Sequence, residues 1–178
     1  MGIETFHALK TLLRTEGKAT GVGDEGGFAP DLRNDEDAVE FILKAIEQAG
    51  YRPGEDIVLC LDPATSELWK NGTYVFEKSG QEDMTTQEMI HLWETWVNKY
   101  PIVLIEDALA ENDWPGWKRL TMTLGDQIEL VGDDIFCTNP SILQEAIEKG
   151  VGNSILIKLN QIGTVSETLE CVQLAQKC

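Results

Sequence analysis

Apolar residues recur at intervals of three and four in several stretches, which is the period of an amphipathic helix. The first stretch covers residues 3–16 and is followed by Gly17, a candidate helix end. The second covers residues 35–49, with Asn34 as its candidate N-cap and Gly50 at its end. Further helices are predicted after the capping-box pair Thr85 and Glu88, over residues 114–124, after Asn139, and from about Thr164 to the C-terminus.

Short apolar runs alternate with these helices and predict β-strands. The runs cover residues 18–23, 57–61, 102–105, 128–132 and 154–159. The run "IVLCL" indicates a buried strand in which Cys60 is a small core residue. Between the second and third runs, Asn71-Gly72 predicts a β-hairpin.

The alternation of strands and helices predicts an α/β protein with parallel βαβ units. Both an open doubly wound sheet and a (β/α) barrel fit this order. A complete barrel needs eight units and about 250 residues. This chain of 178 residues offers only about five units.

Composition and charge narrow the set of partners. The chain is 42% hydrophobic and 25% charged, which is typical of a globular protein, and its formal net charge is −17. We expect no binding to nucleic acid or anionic membranes, because both attract positive surfaces. Apolar runs are too short for membrane insertion. The four cysteines form no C-x-x-C pair, which favours reduced thiols in a cytoplasmic protein.

Acidic residues follow the predicted strands one after another. In chain order the strand-end residues are Asp24 and Glu25, Asp62, Glu106 and Asp107, Asp133 and Asp134, and Lys158 inside the last strand. A single acid in such a place is commonly a helix cap or a solvated loop residue. The repetition is more informative, because the carboxyl ends of parallel strands meet on one face, where active sites lie.

Several carboxylates at one place repel each other unless a cation neutralises them. Carboxylate oxygens from separate strands suit Mg²⁺. We expect the pKa of Lys158 to fall towards that of a useful base, because Ile157 and Leu159 flank it. A metal, a lysine base and a further acid together point to removal of a proton next to a carboxylate.

Five motifs resemble the enolase (phosphopyruvate hydratase) family in order and spacing. They are "GDEGGFAP", "LDPATSEL", "PIVLIEDALAENDW", "VGDDIFCTNP" and "ILIKLNQIGTVSET". The resemblance covers essentially the whole chain and implies a TIM-type (β/α) barrel. It also implies the reversible Mg²⁺-dependent dehydration of 2-phosphoglycerate to phosphoenolpyruvate, a step of glycolysis.

The resemblance implies a role for each motif residue. Lys158 would be the base that removes the C2 proton, and Glu25 the acid that helps the C3 hydroxyl leave. Asp62, Glu106 and Asp133 would bind Mg²⁺. Glu106, Asp133 and Lys158 would contact the substrate, and Asp24, Asp107 and Asp134 would be supporting or capping acids.

The resemblance also implies a partial domain. We expect residues 1–178 to be the middle of the enolase catalytic barrel, with the N-terminal α+β domain and the last barrel strands outside them. We therefore expect residues 1–178 alone to have little or no activity and to self-associate through open strand edges. The complete protein is expected to be a homo-oligomer, with dimer and octamer both open.

Two alternatives stay open at this point. One is another lyase of the wider enolase superfamily, although "KLNQIGT" and "GDEGGFAP" favour enolase itself. The other is a non-catalytic binding protein, since enolases are also found at the cell surface or secreted, where they bind plasminogen. The presence of all five predicted catalytic and metal-binding residues argues against the second alternative.

Overall fold

A computed structural model describes residues 1–77 and 82–178, which fall into two units. The first unit contains Met1–Val58 and Glu77, and the second contains Leu59–Phe76 and Glu82–Cys178. Among the described residues, no helix combines the length and the apolar character needed to cross a membrane.

The first unit is built on two amphipathic helices, α1 (Gly2–Thr15) and α2 (Asp35–Gln48), which pack against each other. Both predicted helices are thus confirmed, with small differences at their ends. The side chain of Asn34 accepts a hydrogen bond from the N–H of Asp37 at 2.9 Å and caps α2 as predicted. Ile46 is fully buried, which places it in the core of this unit.

The predicted strand over residues 18–23 is wrong. In this part of the first unit the structure has only an isolated bridge at Val22. The N–H of Gly23 instead donates to the carbonyl of Gly27 at 2.9 Å, closing a turn that contains Glu25. The glycines permit this turn, and it uses backbone groups that a strand would have offered to a neighbouring strand.

The second unit contains the parallel strands and their connections. Its elements are β1 (Leu59–Leu61), a 3₁₀ turn (Thr65–Leu68), β2 (Trp69–Lys70), β3 (Thr73–Tyr74), α3 (Thr86–Lys99), β4 (Ile102–Glu106), α4 (Trp114–Leu124), β5 (Glu129–Gly132), α5 (Pro140–Lys149), β6 (Ser154–Ile155), α6 (Leu159–Ile162) and α7 (Val165–Ala175). Most of the predicted helices and strands are found here, and the capping box that starts α3 is confirmed.

Four strands form one parallel sheet in the order β1-β4-β5-β6. The register pairs Ile105 of β4 with Leu130 of β5, and both side chains are fully buried. Strands β2 and β3 form the separate antiparallel hairpin that Asn71-Gly72 predicts. Both turn residues have positive φ, 51° at Asn71 and 88° at Gly72, as a two-residue hairpin turn of this kind requires.

Two buried tryptophans fix the chain where it leaves β4. The indole N–H of Trp93 on α3 donates to the carbonyl of Ala108 at 2.8 Å. That of Trp117 on α4 donates to the carbonyl of Leu109 at 2.9 Å. Each tryptophan therefore buries its ring in the core and also satisfies a backbone carbonyl of this loop. The residues at the end of β4 are held in place by these contacts.

The two edge strands of the sheet differ from the sequence prediction. Cys60 on β1 is exposed rather than buried, because β1 pairs only with β4 in the described sheet and its alternate residues face away from the core. Strand β6 ends at Ile155, although a strand to residue 159 was predicted. Beyond it, the N–H of Lys158 donates to the hydroxyl of Thr138 at 2.8 Å, and the chain turns into α6.

Candidate active site

The acids of the second unit gather at the carboxyl end of the parallel sheet. Asp62 follows β1, Glu106 ends β4 and Asp133 follows β5. These strands are neighbours in the sheet, so their ends lie side by side. Glu106, Asp107 and Asp133 each offer one carboxylate oxygen, and the three oxygens lie within 4.8 Å of one another. An all-oxygen anionic group of this kind suits a hard divalent cation such as Mg²⁺.

Glu106 has the electrostatic signature of crowded carboxylates. Burial, followed by the negative charges of Asp62, Asp133 and Asp107, raises the pKa of Glu106 to about 7, while Lys158 acts in the opposite sense. Like charges and burial both disfavour the ionised form, and a bound cation would reverse that preference. The influence of Asp62 also shows that this exposed aspartate acts on the same group of acids.

Asp107 holds the ends of two neighbouring strands together. Its two carboxylate oxygens accept the backbone N–H groups of Asp133 and Asp134, each at 3.0 Å. Its own carbonyl accepts a hydrogen bond from the hydroxyl of Thr65 at 2.8 Å. Burial raises the pKa of Asp107 to about 6, although its two backbone hydrogen bonds oppose the shift. This geometry agrees with the supporting role predicted for Asp107.

Asp133 is only 5% exposed, and both its oxygens have partners. One accepts a hydrogen bond from the amide nitrogen of Gln161 at 2.8 Å, and the other forms an ion pair with the amine of Lys158. The hydrogen bond between the amine of Lys158 and Asp133 raises the pKa of Lys158 above its ordinary value. The expectation of a lowered pKa is therefore wrong for this arrangement, because the side chain is 44% exposed and has an acid partner instead of an apolar surrounding.

The side chain of Asp62 stabilises a turn in the backbone that follows it. One of its carboxylate oxygens accepts the N–H of Ala64 at 3.1 Å, so the chain bends sharply after β1. Ala64 then adopts a left-handed conformation with φ 45°. The predicted Mg²⁺ ligands Asp62, Glu106 and Asp133 thus lie at the ends of three neighbouring strands, and Asp107 connects two of those strand ends.

Left-handed backbone at residues other than glycine is concentrated around these strand ends. Asp107 has φ 42°, and the consecutive residues Cys137 and Thr138 have φ 49° and 51°. Each such residue costs about 1–3 kcal/mol, and the surrounding contacts must hold it in place. Gly132 is required beside Asp133 for another reason, because a Cβ there would overlap the ring of Phe136.

No motif in the sequence indicates the roles of Thr138 and Thr65. Both are fully buried, and their hydroxyls make contacts within the site region. No sequence signal predicts the left-handed conformation of Thr138, because β-branched residues disfavour it. Gln161 also has no role assigned from the sequence, and its amide nitrogen donates to a carboxylate oxygen of Asp133.

Glu25 lies in the first unit, in the turn between Gly23 and Gly27. Its side chain and that of the adjacent Asp24 are exposed. The N–H of Gly26 donates to the carbonyl of Gly23 at 2.9 Å, so the turn is closed by short backbone bonds. The predicted acid is thus presented on a tight glycine turn.

Comparison with known proteins gives matches over the whole chain. The family described as Enolase, C-terminal TIM barrel domain, matches residues 1–178. Enolase 1 of Chlorobaculum tepidum is 64% identical over 177 residues, which are 99% of this chain and 42% of that protein. The chain therefore spans less than half the length of this curated relative. The parallel α/β sheet agrees with the barrel domain that the sequence predicts.

Proposed function

This chain belongs to the enolase family, within its C-terminal TIM barrel domain, and from this premise we propose that the intact protein converts 2-phosphoglycerate to phosphoenolpyruvate reversibly. The relative named Enolase 1 supports this activity. The observation that carries the proposal is the gathering of Lys158 with three acids, Glu106, Asp107 and Asp133, at one end of the sheet. Abstraction of a proton next to a carboxylate needs a base and a means of neutralising the developing negative charge.

Mg²⁺ is the cofactor that this donor set fits best. Asp62, Glu106 and Asp133 would hold it, and the bound ion would polarise the substrate carboxylate. Asp107 contributes differently, because its oxygens already accept backbone N–H groups and keep the end of β5 close to β4. Glu106 and Asp133 would also lie next to the bound substrate.

Lys158 is the proposed base for the proton at C2. Paired with Asp133 it is held protonated, so it must lose some of that stabilisation before it can accept a proton. Engagement of Asp133 as a cation ligand would weaken the pair and lower the pKa of the amine. Glu25 is the proposed acid that protonates the leaving hydroxyl at C3, and the exposed turn that carries it leaves the carboxyl accessible.

The remaining parts of the proposal concern the setting of the protein. We assign the intact protein to the cytoplasm, where glycolysis takes place, and to a homo-oligomer. The proposed small-molecule ligands are 2-phosphoglycerate and phosphoenolpyruvate. Residues 1–178 alone are expected to have little or no turnover, because they correspond to only 42% of the length of Enolase 1 and the proposed activity is that of the intact protein.

The test is turnover of 2-phosphoglycerate by the intact protein with Mg²⁺, followed as formation of phosphoenolpyruvate. Lys158→Ala is expected to lower turnover by about 10²–10⁴-fold, the usual contribution of a general base. Glu25→Gln is expected to lower turnover strongly while Mg²⁺ binding, measured by calorimetry, stays largely intact.

Lys149→Ala is the matched control, since Lys149 is an exposed lysine paired with Glu145 on α5. It is expected to keep the turnover of the unmodified protein. Wild-type turnover in Lys158→Ala, or absence of turnover by the unmodified intact protein, would contradict the proposed function.

A further inference from the structure

A buried threonine outside the predicted site residues connects two parts of the proposed catalytic machinery. Thr138 has no solvent exposure, and its hydroxyl accepts the backbone N–H of Lys158 at 2.8 Å. The same hydroxyl donates to the side-chain oxygen of Gln161 at 2.8 Å. The amide nitrogen of Gln161 in turn donates to Asp133 at 2.8 Å.

The directions of the hydrogen bonds that connect Lys158, Thr138, Gln161 and Asp133 follow from the first of them, the bond donated by the backbone of Lys158. A backbone N–H can only donate, so the hydroxyl of Thr138 must accept from Lys158. The single hydroxyl proton is then directed to the oxygen of Gln161 at 2.8 Å, because the other acceptor, the carbonyl of Leu156, lies farther away at 3.5 Å. This bond turns the amide nitrogen of Gln161 towards Asp133. One carboxylate oxygen of Asp133 accepts that N–H, and its other oxygen pairs with the amine of Lys158.

These contacts form a closed ring that begins and ends on Lys158. The backbone N–H of this residue is held by Thr138, while its amine is held by Asp133. The side chain is 44% exposed, so packing alone leaves it considerable rotational freedom. The ring limits that freedom at both ends of the residue.

We propose that Thr138 is a positioning residue for the base, acting through Gln161 on Asp133 and directly on the backbone of Lys158. The left-handed backbone of Thr138 supports this, because a β-branched residue disfavours φ of 51° and here its hydroxyl makes short hydrogen bonds to Lys158 and Gln161. The role rests on the proposed function of Lys158. A misplaced base loses rate without losing substrate affinity, and displacements of about 1 Å can cost about 10²-fold.

The experiment compares three variants of the intact protein. Thr138→Val keeps the shape and removes the hydroxyl, Thr138→Ser keeps the hydroxyl, and Gln161→Met breaks the ring from its other side. We expect Thr138→Val and Gln161→Met to lower kcat by about 10–100-fold with little change in KM. Thr138→Ser is expected to retain most of the turnover. The double variant Thr138→Val with Gln161→Met is expected to lose little more than either single one, since both belong to one chain of contacts.

A second readout does not depend on turnover. Reductive methylation of metal-free protein, followed peptide by peptide with mass spectrometry, reports how firmly the amine of Lys158 is held. We expect methylation of Lys158 to be several-fold faster in Thr138→Val than in Thr138→Ser, with Lys149 unchanged in both. This readout survives if the proposed enolase activity is wrong, so the two failures are distinguishable.

Two results would overturn the positioning role. One is a lowered unfolding midpoint in Thr138→Val with unchanged kcat and unchanged methylation of Lys158, which would indicate a packing role alone. The other is equal loss of kcat in Thr138→Ser and Thr138→Val, since the hydroxyl would then not be the group that matters. If Thr138→Val does not fold, the half-buried Gln161→Met variant carries the same test.

Discussion

Two buried aspartates of the second unit, Asp113 and Asp133, have similar exposure and opposite environments. Asp113 is 7% exposed and Asp133 is 5% exposed. Asp113 caps α4 and accepts hydrogen bonds from neutral donors, the hydroxyls of Tyr74 and Thr86 and the N–H of Gly116. Asp133 instead lies among other acids and pairs with the half-exposed amine of Lys158.

The difference separates a carboxylate that stabilises the fold from one that is available for chemistry. Around Asp113, the hydroxyl of Tyr74 also accepts the N–H of Ala110, so the network ties the hairpin to the loop after β4. Burial raises the pKa of Tyr74, which keeps this hydroxyl a donor. Around Asp133 the charges are left partly uncompensated, and burial with like charges raises the pKa of Glu106 to about 7. Burial alone therefore does not identify a site, whereas uncompensated charge does.

The largest expected effect comes from Asp133→Asn in the intact protein. Turnover should fall about a thousandfold, since loss of a cation ligand removes several kcal/mol of charge stabilisation and 1.36 kcal/mol corresponds to tenfold. The free energy of unfolding without metal should change little or rise, because one of the crowded negative charges is removed. Turnover and urea unfolding measure the two effects. Asp126→Asn is the control, because Asp126 lies on an exposed turn. Full turnover with lowered stability in Asp133→Asn would show that Asp133 acts like Asp113, as a residue that stabilises the fold.

Asp113→Ala should show the reverse pattern. Removing this cap leaves the Tyr74 hydroxyl and the Gly116 N–H buried without their acceptor, at a cost of about 2–4 kcal/mol in the free energy of unfolding. Turnover per folded molecule should be unchanged. Urea unfolding with Asp126→Ala as control measures the loss. A variant with unaltered stability and reduced turnover would show that Asp113 belongs with the site.

The smallest expected effect is a pH dependence of Mg²⁺ affinity that has no counterpart at Asp113. The pKa of Glu106 is raised to about 7 without metal, so protons compete with Mg²⁺ below that pH. Affinity should fall as pH falls through 7, by roughly tenfold between pH 8 and pH 6 for a single displaced proton. Calorimetry in two buffers of different ionisation enthalpy measures both the affinity and the released proton. Glu106→Gln should flatten this dependence, and an equal slope in that variant would assign the proton to another group.

Much of the fold could be predicted because its signals are local. The helix bounds follow from the apolar period and from caps such as Asn34 and Thr85, whose side chains make the expected bonds. The gathering of acids followed from topology, since parallel strands end on one face and acids follow the runs over residues 57–61, 102–105 and 128–132. The placement of Glu106 beside Asp133 needed no knowledge of side-chain contacts.

The incorrect predictions concern strand partners, which a local pattern does not contain. Cys60 lies in a segment with the composition of a buried strand, yet this segment forms an edge strand and Cys60 is exposed. The segment before Lys158 is apolar enough for a longer strand. The backbone N–H of Lys158, however, donates to the hydroxyl of Thr138 instead of to a neighbouring strand. The left-handed conformation of Thr138 opposes its intrinsic preference, so only the contacts of the folded chain account for it.

The passage from β5 to α5 can be regarded as a single cassette for protein engineering. Within residues 132–139 the chain needs a residue without Cβ, then Asp133, then two left-handed residues, and finally the side chain of Asn139 that caps α5. Each requirement fixes the backbone for the next. A graft that moved Asp133 alone onto another βα unit would leave its orientation to chance, whereas transfer of the whole segment would carry the geometry with it.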